Sequence, residues 1–542
     1  MWVKRCARVY KGKVSEGWWL VKSYREDGKV KHKYIENISH LSVRQRDGLK
    51  KILKNPKAIA IDNLKEFIRR GYDYGNIVFF LYMMHQLGIV NVLSKFLSKK
   101  SLSLIVAVLL NRLLKPSSKM EAISWIKGTV FPFFCSLRKK EYHPNRVYEA
   151  MDEVKDNMDG ILEEFYKLSG GKPLFLLYDI TSIYFEGEGV KKGKRGYSRD
   201  YRPDRPQVLL GIVLNEKGFP VHFEIFDGNL RDKATVEGVA KKVKKRFNTE
   251  KAIFVGDRGM ISIDNVEKIV NADLGYIMAL THEEAKDLLK EKEIDPLLFD
   301  KRLPITLWQD GEDAKYVLCG SEFRRERDIR AFRSLLEKGR ESLEVVKRMV
   351  EKGRLKKHEK VIRRAQKKLT QSGAEKYFDF RYENGMFEII EKVEVIERSE
   401  RLCGYYILKT SETQMEDYDI EVHYKKLQEV ERCFRDLKEL IEVRPVCHWK
   451  DRRVETHIFL CLLAQVILAW VRKRLKEVGW LGRYNTLEEF INLLGSVKVN
   501  KVLIEKEEIL VVQRENPLET VLLKNFGLLS FDYERDKEGC SI

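Results

Sequence analysis

One segment restricts the fold more than any other. Pro173-Leu-Phe-Leu-Leu-Tyr-Asp-Ile-Thr-Ser-Ile-Tyr-Phe185 is rich in β-formers and apolar on both faces. A strand with one wet face would alternate, so this one belongs in the middle of a sheet covered on both sides. Asp179 stands inside it. A carboxylate there is costly unless hydrogen-bond donors or a cation meet it. Backbone amides at a strand edge could hold it, but in this apolar setting a metal ion is the favoured partner. Thr181 shares its face of the strand.

The chain around this strand has a definite order. A basic loop (190–206) precedes a strand from Val208 to Leu214, a turn at Asn215-Glu-Lys-Gly218 and a strand from Phe219 to Phe226. An amphipathic helix (232–246), a strand from Lys251 to Gly256, a helix (261–271) and a strand (274–280) follow. Three strands in meander, then alternating helix and strand, is an α/β pattern in the order of the ribonuclease-H-like fold. Residues 282–410 interrupt it with a strand near 304–309, a charged helical stretch (roughly 326–370) and strands between 377 and 409. Helical periodicity returns at about 418. Upstream, residues 1–40 read as short strands with a hairpin turn at Asp27-Gly28, and 43–168 read as helices.

These patterns divide the 542 residues as follows. An N-terminal region, a short hairpin and then mostly helical, covers 1–168. The first part of the core covers 172–281, a mixed β/helical insertion 282–410, the second part of the core 411–475, and a C-terminal helical region 476–542. That length suits two to four units.

Two further acids fit beside Asp179. Asp257 ends the strand Ala252-Ile-Phe-Val-Gly256, and carboxyl ends of strands are where α/β proteins place ligand groups; an N-cap for the next helix is the plainer alternative. Glu431 lies on a helix whose Leu427, Val430, Phe434, Leu437 and Ile441 form a core-facing stripe. Tyr424, Glu431, Arg435 and Lys438 form a second stripe about a quarter-turn away. A solvated edge with a Glu431–Arg435 pair would look the same. Three acids from two strands and a helix can hold two Mg²⁺ ions, with Mn²⁺ as a substitute, because hard cations take carboxylate oxygens. Glu186, Asp204, Asp227 and Asp232 compete for the same roles.

Here the residues resemble a known family. Tyr424, Leu427, Glu431 and Lys438 match, at the right spacing, three of the four positions of the Tyr–Arg–Glu–Lys signature of insertion-sequence DDE transposases, with Leu427 in place of Arg. Tyr178-Asp-Ile-Thr-Ser-Ile-Tyr-Phe185, Gly196-Tyr-Ser-Arg-Asp-Tyr-Arg-Pro-Asp-Arg-Pro-Gln207, Val255-Gly-Asp-Arg-Gly-Met260, Pro116-Ser-Ser-Lys119, Val147-Tyr-Glu-Ala-Met-Asp152, Arg444-Pro445, His448 and His457 resemble other blocks of that family. The resemblance spans about residues 1–475. It implies a ribonuclease-H-like core interrupted by a largely β insertion, with Asp179, Asp257 and Glu431 as the metal-holding catalytic triad. It also implies contacts from Tyr424 and Lys438 to transposon-end DNA, with Arg435 and Arg258 as further candidates. The partners it implies are double-stranded DNA, both terminal inverted repeats and target, and a second copy of the chain in a synaptic complex. A ribonuclease-H-like endonuclease, or a silent DNA-binding derivative, are the rival functions.

Other features agree with a nucleic-acid partner without demanding one. Lys and Arg number 102 against 82 Asp and Glu, a net charge of +20. That suits a polyanion, although a Lys/Glu-rich soluble protein has the same balance. Lys191, Lys192, Lys194, Arg195, Arg199, Arg202 and Arg205 alternate with Tyr197 and Tyr201 in the basic loop, a composition that suits phosphates and splayed bases. Trp308 is a core or surface tryptophan on the plain view, and a base-stacking residue on the resemblance. His222, His448 and His457 lack metal-ligand spacing and read as structural. The eight scattered cysteines make neither a zinc site nor a disulfide framework. The N-terminus has no signal segment, and the apolar run Ile458–Val471 is short of the roughly 20 residues a bilayer needs. A cytoplasmic, nucleoid-associated protein without membrane contact is expected.

Overall fold

The computed structural model describes residues 1–10, 13–54, 68–135, 137–168, 174–247, 252–257, 263–295, 303–311, 313–481, 486–504, 507–513, 526 and 542. The chain forms two compact units, Met1–Asn76 with Asn492–Asp536 and Ile77–Ile491 with Lys537–Ile542. The helices from Ile77 onward therefore belong with the large sheet, and the first boundary falls at 76 rather than at 168.

The first unit opens with an antiparallel sheet of β1 (Trp2–Tyr10), β2 (Lys13–Glu26) and β3 (Lys29–Asn37), in the order β1-β2-β3. Asp27 and Gly28 make the β2–β3 turn at φ 52° and 72°, the left-handed pair that a two-residue hairpin requires. A helix, Val43–Lys54, lies against β1. A further strand, β4 (Ile68–Asp73), closes this part of the chain.

The second unit is built on an eight-stranded sheet. Its strands are β5 (Phe175–Tyr184), β6 (Gln207–Leu214), β7 (Pro220–Asp227), β8 (Ile253–Gly256), β9 (Gly275–Ala279), β10 (Ile305–Asp310) and β11 (Ala314–Gly320). After a hairpin of β12 (Phe378–Glu383) and β13 (Met386–Glu391), the chain returns as β14 (Tyr405–Thr410). The order is β10-β11-β14-β9-β8-β5-β6-β7. β5, β6 and β7 are an antiparallel meander, whereas β5, β8 and β9 run parallel. Helix Val236–Phe247 connects β7 to β8, and Ile263–Val270 connects β8 to β9. Along β5 only Asp179 and Tyr184 escape full burial. Helices Lys99–Leu114, Pro144–Asp156 and Asp451–Glu477 pack on one another. The last is long and apolar enough to cross a membrane, but 78 % of its most apolar window is buried inside the fold. It is a helix apolar all round because protein surrounds it.

Residues 282–410 are not a separate body throughout. β10, β11 and β14 extend the main sheet, with Leu408 of β14 paired antiparallel to Ala279 of β9. Only the stretch between β11 and β14 stands apart. There, helices Glu322–Glu351 and His358–Ser372 and the β12–β13 hairpin enclose a core of Leu343, Val346, Val361, Leu369 and Phe378. The C-terminal region also departs from the helical expectation. After helix Leu487–Ser496, β15 (Lys498–Ile504) and β16 (Glu507–Gln513) form a hairpin that pairs with β4 in the order β16-β15-β4. Val499, Val502, Val511 and Val512 suit a pleated surface better than a helix.

Candidate active site

Strand pairing brings two of the three acids together. Tyr178 is opposite Gly256 in the parallel β5–β8 register. Asp179 and Asp257 are the next residues on each strand, so they leave neighbouring strands side by side, roughly 5 Å apart in backbone spacing. Asp179 is partly exposed and Asp257 is exposed. One Asp179 oxygen accepts the N–H of Ile180 at 2.7 Å. Burial pushes this carboxyl up to about 7. The charges of Asp257 and Glu431 act in the same direction, and the Ile180 amide and Arg199 oppose them.

Glu431 comes from the helix Leu427–Glu439, which packs on β5 and β6. Val430, Phe434 and Leu437 are buried as the stripe requires, and Glu431 and Arg435 face solvent. Among the described residues those two make no ion pair. A buried carboxylate on the helix's inner side, Asp436, receives the guanidinium of Arg472 from the core helix, one contact at 2.8 Å. The preceding helix, Asp417–Lys425, is tied to the sheet extension. Asp417 accepts the Thr306 N–H at 2.7 Å and lies 2.8 Å from Lys315 Nζ. His423 stacks on Phe175 of β5 with ring centroids 3.6 Å apart. That anchoring delivers Tyr424, whose hydroxyl donates to Asp257 at 3.1 Å. The segment that carries Glu431 is thus tied to Asp257, yet among the described residues no three Asp, Glu, His or Cys side chains are gathered tightly enough to hold a metal ion as they stand.

Three of the four competing acids are otherwise engaged. Asp232 pairs with Arg199, Asp204 with Arg202, and Glu186 with Arg205. Asp227 is exposed at the end of β7. Arg258 lies outside the described residues. Arg195 is exposed. Arg199 is held by its backbone N–H on Ser182 Oγ at 2.9 Å, and Arg202 stacks over Tyr184. Tyr197 and Tyr201 are 83 % and 92 % exposed. Trp308 is 38 % exposed, with Lys292 Nζ 4.4 Å from its ring.

Lys438 differs from expectation. Instead of projecting outward, its ammonium donates to Asp200 at 2.8 Å, and Arg444 Nε lies 2.9 Å from the same oxygen. Asp200 is only 3 % exposed. Lys438 therefore pins the basic loop to the Glu431 helix. Burial lowers its pKa, against the pull of Asp200.

A second buried cluster holds the segment that follows this helix. Arg112 donates to the Glu442 carbonyl at 3.2 Å. His457 Nε2 lies 3.0 Å from the Val443 carbonyl, and its Nδ1 lies 3.4 Å from Lys119 Nζ. A carbonyl can only accept, so Nε2 carries the proton and Nδ1 accepts from the lysine. Val446 then pairs with the end of β5, its N–H donating to the Tyr184 carbonyl at 3.1 Å. Burial lowers the pKa of Lys119 to about 7 and that of His448 to about 3, and carries His457 well below its usual value. Lys119, His448 and His457 stand in separate blocks of the sequence. Asp200, Arg112 and the Asp436–Arg472 pair carry no local signal, because each partner is distant in the chain.

Comparison with known proteins bears on this arrangement. Residues 170–467 match a family described as the transposase DDE domain, and residues 3–60 match the N-terminal domain of IS1634 family transposases. No curated protein matches the chain. Among solved structures, a piggyBac transposase synaptic complex with hairpin DNA, determined by cryo-EM, is similar over 74 % of this chain and 70 % of that one, at 9 % identity and a TM-score of 0.35.

Proposed function

The chain belongs to the DDE transposase family, and on that premise we propose that it cuts the phosphodiester at each end of an insertion sequence and joins the freed 3′-OH to target DNA. The sheet is read as a ribonuclease-H-like core, for which the antiparallel β5–β7 meander flanked by parallel β8 and β9 is the support. Asp179, Asp257 and Glu431 are the proposed triad. The observation that carries this assignment is geometric: Asp179 and Asp257 leave adjacent parallel strands side by side, and Tyr424, from the segment just before Glu431, donates to Asp257.

The donor set fits Mg²⁺. All three groups are hard oxygen ligands, and the unfavourable like charge at Asp179 is what a divalent cation would offset. Asp257 and Glu431 are exposed. Bound there, paired divalent ions supply an activated water and a clamp on the attacking and leaving oxygens. The chain's own contribution is positioning. β5 fixes Asp179, Tyr424 orients Asp257 through its hydroxyl, and the Asp436–Arg472 and Lys438–Asp200 pairs fix the helix that carries Glu431. The basic loop brings Arg195, Arg199 and Arg202 beside β5, where they suit the phosphates flanking the cut. Holding two ends at once requires two copies of the chain.

Asp179→Asn, Asp257→Asn and Glu431→Gln should each abolish Mg²⁺-dependent cleavage of the element's own ends and leave end binding within about twofold, well under the roughly tenfold that 1.4 kcal/mol represents. Full cleavage by any one variant removes that residue from the triad. Wild-type protein that nicks these ends but never joins pre-cut ends to a target plasmid is a nuclease and not a transposase.

A further inference from the structure

Two rings stand out on the basic loop between β5 and β6. Tyr197 and Tyr201 are 83 % and 92 % exposed, and among the described residues no other large apolar or aromatic side chain is as open to solvent. Tyr201 also sits at φ 55°. A bulky side chain rarely adopts that left-handed backbone, which crowds its Cβ against the following carbonyl. Packing of the ring does not offset this strain, because the ring is in water. The backbone is nonetheless tied down on every side. The Tyr201 N–H donates to the Ser198 carbonyl at 3.3 Å, and Ser198 Oγ accepts the N–H groups of Asp200 at 3.3 Å and Arg202 at 3.1 Å. The buried Gln207 amide donates to the Tyr197 carbonyl at 2.8 Å. Gly196 lies so close to Gly228 that a Cβ there would come within 2.2 Å of its carbonyl oxygen. Strain that the surroundings over-determine is a mark of function.

Two anchors put these rings beside the proposed acids. The Arg199 N–H is bound to Ser182 Oγ, three residues beyond Asp179 on β5 and about 10 Å along the strand. Asp200 is bound to Lys438, seven residues beyond Glu431 and again about 10 Å along the helix. Stacked bases of one DNA strand follow at about 3.4 Å, so the rings fall within a few nucleotides of a phosphodiester held at the acids. Residues 190–206 carry seven Lys and Arg against two Asp, which selects a polyanion as the partner. Cations interleaved with open rings suit a strand whose bases are unpaired, because a base inside a duplex already has both faces covered. We propose that Tyr197 and Tyr201 stack on unpaired bases of the DNA strand beside the cut and hold that strand open at the acids. The place beside the cut rests on the transposase reading; the affinity for unpaired bases does not.

The test uses the full chain in magnesium-free buffer with labelled duplexes of arbitrary sequence, one fully paired, one with a short mismatched bubble and one with a bubble of abasic sites. Wild type should bind the mismatched bubble about tenfold or more tighter than the paired duplex. The abasic bubble is as pliable but has no bases to stack on, and should show no such gain. Tyr197→Ala/Tyr201→Asn should lose the preference and keep its affinity for paired DNA within about twofold. Asparagine tolerates the left-handed backbone, so Tyr201→Asn should melt no lower than wild type, and misfolding cannot account for the loss. Tyr197→Phe/Tyr201→Phe keeps the rings and should restore the preference. In Mg²⁺ the Ala/Asn variant should cut the element's ends about tenfold more slowly. An unchanged bubble preference in that variant, with wild type still cutting ends, overturns the stacking role and leaves the transposase reading intact. A lost preference, without any cutting by wild type, does the reverse. Equal weakening on paired and bubbled duplexes makes the loop a clamp on phosphates and overturns the stacking role. Wild type that binds abasic and mismatched bubbles alike overturns it too.

Discussion

At the scale of single residues, burial decides what a charge can do. Asp179 stands out in the sequence because its strand is apolar on both faces, and no alignment is needed to see that the carboxylate must be satisfied. Lys438 shows the opposite case. Its helical stripe points it at a ligand, but its partner Asp200 is 238 positions away, beyond any local pattern. The buried Lys119 offers a test of these electrostatics. Its folded pKa is about 7 against an ordinary 10.5, so between those values the unfolded chain binds a proton that the folded one does not. Stability from this group therefore rises with pH across that window. The melting temperature of wild type relative to Lys119→Met should climb from about pH 7 toward pH 10. A wild-type melting temperature that falls or stays level relative to the variant across that window would contradict the burial.

At the scale of elements, the helix Leu427–Glu439 is held by its inner side and presents the proposed ligand Glu431 on its outer one. Leu437→Ala should destabilise the fold by about 2–5 kcal/mol through the cavity it leaves. Asp436→Ala should cost about 3–5 kcal/mol, because Arg472 would be left buried without its counter-ion. Glu431→Gln, on the exposed side, should shift stability by about 0.5 kcal/mol or less. Urea unfolding ranks the three, and a large loss for Glu431→Gln would mean that it is a structural residue. The meander β5–β7 and the alternation through β9 are legible in sequence because each strand pairs with a near neighbour. β10, β11 and β14 read as an insertion because nothing local reveals that β14 will pair with β9. The β15–β16 hairpin is missed for the same reason, since its partner β4 is at the other end of the chain.

For the whole molecule, charge gives the clearest expectation. With +20 overall and half of it in the first 54 residues, duplex affinity should fall linearly on a log–log plot against salt, by about 0.9 per phosphate neutralised. Titration from low to high potassium chloride measures that slope, and a flat response would exclude a phosphate-led interface. The division into two units is legible only in part. The first strands are legible from the hairpin turn at Asp27-Gly28, whereas the assignment of Ile77 onward to the large sheet depends on packing between distant segments.

The position of β14 has a consequence for the order in which the protein is made. β8 and β9 can join β5 early in synthesis, but β9 stays an open edge until the ribosome has added the residues up to Tyr405–Thr410. Glu431 follows later still, 174 positions after Asp257. Closure over such a distance is slow. A nascent chain therefore holds two acids of the proposed triad well before the third, and on that proposal a polypeptide released by a stop codon ahead of Leu427 lacks the group needed to complete a metal site.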